Sequence, residues 1–75
     1  MDDDRFEVSL RFRLTVEAKI RQLEEDAIFD AKAMADLECE DHRRRQRMLV
    51  QAQLERARTL RELLIATRVR PQTAA

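Results

Sequence analysis

Apolar and polar residues alternate without a break near the start of the chain. Phe6, Val8, Leu10, Phe12, Leu14 and Val16 are separated by Glu7, Ser9, Arg11, Arg13 and Thr15. A period of two predicts a β-strand over about residues 5–15 with one apolar face, because a helix scatters positions two apart around its cylinder. Nothing downstream has the pattern of a second strand, and a lone strand leaves both of its edges unpaired. Its partner is therefore expected in another chain. That chain is either a second copy, paired antiparallel about a two-fold axis, or the sheet edge of a different protein. Phe6, Val8, Leu10, Phe12 and Leu14 are the residues expected to carry this association.

From Thr15 onward the period changes. Thr15 is placed to cap a helix, with Glu17 in the first turn, where the helix dipole favours an acid. Val16, Ile20, Leu23, Ala27, Ala31, Met34 and Leu37 recur at steps of three and four, and Ile28 and Ala35 widen the stripe. This predicts an acidic amphipathic helix over 16–38. Leu49, Val50, Leu54, Ala57, Leu60, Leu63 and Leu64 form a second stripe, predicting a basic amphipathic helix over 48–69 that stops before Pro71, with 70–75 as a tail. Residues 39–47 between them have two readings. Eight polar residues in a row from Glu40 to Arg47 suggest a turn, yet the acid-first pairs Glu38–His42, Glu40–Arg44 and Asp41–Arg45 suit a continuous helix. The expected fold is thus mainly α with one N-terminal strand, followed by a helical hairpin or by one long helix of about 50 residues, ~75 Å in length. Ile20, Leu23, Met34, Leu49, Leu54, Leu60 and Leu64 join the strand residues as expected association positions.

Composition sharpens this picture. The chain has 75 residues, no glycine, one proline and one cysteine. A single domain of this size rarely draws more than ~3–5 kcal/mol from its core without disulfides, metal or oligomerisation. One cysteine cannot form an internal disulfide, so completion by dimerisation or partner binding is expected. Absent glycine excludes phosphate-cradling loops, dinucleotide fingerprints and nucleophile elbows. The longest apolar run, Leu63 to Ala66, is far too short for a membrane span. Met1-Asp2-Asp3-Asp4-Arg5 lacks the order of a secretory signal, and a lone cysteine suits a reducing compartment. A soluble cytoplasmic protein with no cofactor and no small-molecule substrate is expected.

Net charge is zero, but its distribution is uneven. Residues 1–42 carry 6 basic and 13 acidic side chains, a net of −7, whereas residues 43–75 carry 9 basic and 2 acidic, a net of +7. Such a chain favours antiparallel pairing of its own halves, within one molecule or between two.

Few residues suggest chemistry. Cys39 and His42 share a helical face, and a symmetric dimer would offer two such pairs to zinc. Structural zinc sites seldom leave half their ligands to symmetry, so a half-buried thiol and a solvated imidazole are expected instead, with no metal. Asp2-Asp3-Asp4 and Glu24-Glu25-Asp26 read as solvated charge, since nothing in the pattern builds a water-excluding cleft around them. No enzyme is expected. Arg43, Arg44, Arg45 and Arg47 form the sharpest positive feature and suit phosphate contact. Their acidic neighbours Glu38, Glu40 and Asp41 offer them partners closer to hand.

Residues 8–27, from Val8 through Ser9, Leu10, Arg11, Phe12 and Arg13 to Ala27, resemble the opening of ribbon-helix-helix DNA-binding proteins. The resemblance implies two strands paired across a dimer, with Ser9, Arg11 and Arg13 reaching into the major groove. The glycine and the serine- or threonine-led second helix usual in that family are missing from residues 28–45. From the residues themselves, the expected function is that of a non-enzymatic interaction module: a homo-oligomeric regulator, adaptor, inhibitor or assembly component. The alternatives are a dimeric DNA-binding regulator or antitoxin, using Ser9, Arg11, Arg13 and the Arg43–Arg47 cluster, and a coiled-coil component of a larger assembly.

Overall fold

The fold is that of a computed structural model, which describes residues 5–71. In chain order it comprises β1 (Phe6–Val8), α1 (Leu10–Ala33), a single 3-10 turn (Met34–Asp36), α2 (Glu40–Ile65) and β2 (Thr67–Val69). The helices pack against each other as an antiparallel hairpin, and the two short strands pair in parallel at its base. A mainly helical chain with an N-terminal strand is what the sequence predicts, and the hairpin is the arrangement adopted.

Boundaries differ from expectation in ways that have physical causes. The strand covers only Phe6–Val8 rather than 5–15, because Ser9 starts a helix. Ser9 holds an extended backbone (φ −72°, ψ 155°), and its hydroxyl accepts a hydrogen bond from the Phe12 N–H at 3.1 Å. It is thus the N-cap, the position predicted for Thr15. Thr15 lies inside α1, its hydroxyl donating to the Arg11 carbonyl at 2.9 Å. The alternation from Leu10 to Val16 is real but helical. Val16 turns inward and is buried, while Leu10 and Leu14 stay exposed on the far side.

The predicted charged turn over 39–47 shrinks to Leu37–Cys39, both ends of which have extended backbone angles. Leu37 is tied by its N–H to the Met34 carbonyl at 3.2 Å and by its own carbonyl to the Arg43 Nε–H at 2.6 Å. Since α2 begins at Glu40, its first turn holds Glu40 and Asp41, acids that suit the positive end of the dipole. The arginines follow one residue later. At the far end α2 stops at Ile65 instead of continuing to 69. Thr67 is buried and donates its hydroxyl to the Leu64 carbonyl at 3.0 Å, turning the chain into β2.

That second strand is absent from the sequence-based expectation, and it gives β1 a partner within the chain along one of its edges. Phe6, Glu7 and Val8 lie opposite Thr67, Arg68 and Val69. The Phe6 N–H donates to the Ala66 carbonyl at 2.9 Å, and the Arg70 N–H to the Val8 carbonyl at 2.8 Å. Across the clasp, Arg68 Nη2 donates to Glu7 Oε1 at 2.8 Å.

The core is narrow. Val16, Ile20, Leu23 and Ala27 of α1 and Ala57 of α2 are buried, with Leu60 and Leu64 packed against them. Toward the tip, polar contacts take over: Gln53 Nε2 donates to Asp30 Oδ2 at 3.0 Å, and Gln46 Nε2 to the Asp30 carbonyl at 3.2 Å. On one flank Arg61 Nη2 lies 2.6 Å from both carboxylate oxygens of Glu24. Loss of the cap separates the two serine and threonine positions. Ser9→Ala is expected to lower unfolding free energy by ~1 kcal/mol in urea titration, and Thr15→Ala to change it by less than ~0.5 kcal/mol.

Candidate functional site

Among the described residues no group of three or more His, Cys, Asp or Glu side chains is placed to hold a metal ion. Cys39 is exposed at the turn, and His42 is exposed within the first turn of α2. The concavities are shallow and open. One lies on the outer side of α1, lined by Leu10, Arg11, Leu14, Thr15 and Ala18. Another sits between the helices beside the Glu24–Arg61 pair, and a third is at the tip near Phe29.

What the molecule presents instead is apolar surface. Of the expected association residues, Ile20 and Leu23 are consumed by the core, with Leu60 and Leu64 half-buried beside it, and Val8 and Met34 are also half-buried. Phe6, Leu10, Phe12, Leu14, Leu49 and Leu54 remain exposed. Phe29 and Met48, which no periodic stripe had included, are exposed at 74% and 63%. Large apolar side chains that solvated are rare enough to mark a surface awaiting cover when they recur along one element.

On α1 they do recur. Leu14, Ala18, Arg21, Glu25, Ile28 and Lys32 follow one another at alternating steps of four and three, all exposed, with Leu10 and Phe29 alongside. On α2, Leu49, Ala52, Arg56, Thr59 and Leu63 alternate likewise, also exposed. Each helix therefore carries a second stripe besides the one it uses in the hairpin. The signal for the first is present in the sequence, as the Leu10 and Leu14 positions of the alternating run, where a period of two reads as a strand.

The residues expected to touch nucleic acid are not brought together. Ser9 is consumed as a cap, Arg11 is exposed, and Arg13 pairs with Glu17 at 3.0 Å. Arg43 is drawn back to the Leu37 carbonyl, and Arg44, Arg45 and Arg47 fan around α2. The ribbon that would carry Ser9, Arg11 and Arg13 into a groove is helix in this chain.

No helix among the described residues is long and apolar enough to cross a membrane. Comparison with family models, curated proteins and solved structures finds no match to this chain. The exposure of the turn has a direct check. Cys39 in the folded chain is expected to react with a thiol reagent about as fast as in denaturant, and strong protection would show that the tip is covered.

Proposed function

We propose that this chain is a non-enzymatic protein–protein interaction module that works as a self-associated helical hairpin. The observation that carries the reading is its single-layer shape. Its Cα atoms span 61 × 23 × 11 Å with a radius of gyration of 17.4 Å. A compact chain of this length has a radius near ~11 Å. The accessible surface is 6443 Å², against ~4,800 Å² for a folded monomer of this mass. The excess of roughly 1,600 Å² is about twice what a standard interface takes from one partner.

Domains stabilise a helical layer by packing a second layer upon it, and here the second layer is missing from the single chain. A regulator, adaptor, inhibitor or assembly component acting through such faces fits the residues better than one acting through a cleft. The lone thiol suits a reducing compartment, and we place the protein in the cytoplasm on that ground.

Sedimentation equilibrium tests the reading. The expected result is a dimer or higher oligomer at micromolar concentration, with a thermal midpoint that rises with protein concentration, because association binds only the folded state. A chain that stays monomeric throughout, with a midpoint independent of concentration, would overturn it.

A further inference from the structure

We infer that the outer face of α1 pairs with the same face of a second copy, antiparallel, about a two-fold axis level with Leu23. This rests on the self-association proposed above and adds its face and its register. The steps from Leu14 to Lys32 have the spacing of a coiled-coil seam, in which residues of one helix seat between residues of the other, with apolar Leu14, Ala18 and Ile28 sharing it with charged Arg21, Glu25 and Lys32. Read in reverse, this seam is complementary to itself. With the axis level with Leu23, Arg21 of each copy faces the other's Glu25. Ala18 faces Ile28, small against large, and Leu14 faces the methylenes of Lys32, a stem that covers apolar surface well.

The charges are free for this use. Among the described residues Arg21, Glu25 and Lys32 form no ion pair within the chain, whereas their neighbours Glu17 and Glu24 are engaged by Arg13 and Arg61. The same register brings Phe29 of each copy to the Ala18 rim of the other's concavity, the one lined by Leu10, Arg11, Leu14, Thr15 and Ala18. Phe29 is 74% exposed and Leu14 54% exposed in the single chain. The corresponding seam on α2 has no such charge match. In the equivalent antiparallel register Leu49 faces Thr59 of a second copy and Ala52 faces Arg56, so no acid meets an arginine there. The charge complementarity that selects a register is found on α1.

Charge exchange and cross-linking test the register, in a Cys39→Ser background. Arg21→Glu and Glu25→Arg each create two like-charge contacts across the axis, and each is expected to weaken dimerisation by about tenfold or more in sedimentation equilibrium, while the double exchange restores it. A chain carrying Ala18→Cys with Ile28→Cys is expected to form covalent dimers with a short bismaleimide, and neither single variant to do so. Circular dichroism confirms that each variant is helical. Dimers that keep wild-type affinity in both charge variants, or that cross-link through Ala18→Cys alone, would overturn this register while leaving self-association standing. A monomeric wild-type chain would overturn both.

Discussion

Two helices laid side by side bury only the stripe that each turns toward the other. In this molecule that stripe is short. Val16, Ile20 and Leu23 meet Ala57, Leu60 and Leu64 over the basal half of the hairpin, and Ala27 is buried next along α1. Alanines at the buried positions of both helices permit a close approach, and they also limit how much apolar volume the seam contains. Beyond Ala27 the helices are held by the amides of Gln46 and Gln53 on Asp30, and by Arg43 on the turn. Hydrogen bonds of this kind fix geometry but add only ~0.5–1.5 kcal/mol each between neutral groups, and ~1.5–3 kcal/mol where a charged group takes part. The single chain is thus well specified in shape and thinly supported by its own core.

How far the sequence disclosed this depends on where one looks. The inward stripe of α1 was legible because Val16, Ile20, Leu23 and Ala27 keep a helical period that no strand accommodates. The first turn of α1 was not. A helix with apolar residues on two opposite faces also alternates over a few residues, and the run from Leu10 to Val16 satisfies both descriptions. Ser9 decided between them by capping, a local hydrogen bond that a search for period alone does not weigh. β2 escaped notice for a different reason. Three residues, Thr67–Val69, are too few to show any period, and they pair with a strand on the far side of the chain. The exposed seam on α1 is legible only in part: Leu10 and Leu14 stand out in the alternating run, whereas Ile28 also fits the inward stripe and Phe29 fits no periodic stripe.

Charge shows the same division between local and distant causes. The uneven halves suggested that the acidic segment lies against the basic one, and Glu24–Arg61 and Glu7–Arg68 are such contacts. Both are partly exposed, where pairs of this kind contribute ~0–1 kcal/mol. Much of the opposition between halves instead collects around the glycine-free turn, where Asp36, Glu38, Glu40 and Asp41 precede Arg43, Arg44, Arg45 and Arg47. Their placement lets the acids occupy the start of α2 and moves the arginines away from it, which resolves the conflict that a run of arginines would otherwise create with the helix dipole.

The clasp at the base has a mechanical meaning. Because β1 and β2 run in the same direction, the chain enters at one end of the pair and leaves at the other. Tension applied to the two ends therefore loads the strands in shear, straining their cross-strand hydrogen bonds together instead of opening them one after another. An antiparallel pair pulled from adjacent ends would peel. A few residues of parallel ribbon thus act as a buckle across the foot of the hairpin, shielding the helical seam above from a pull until the ribbon itself gives way.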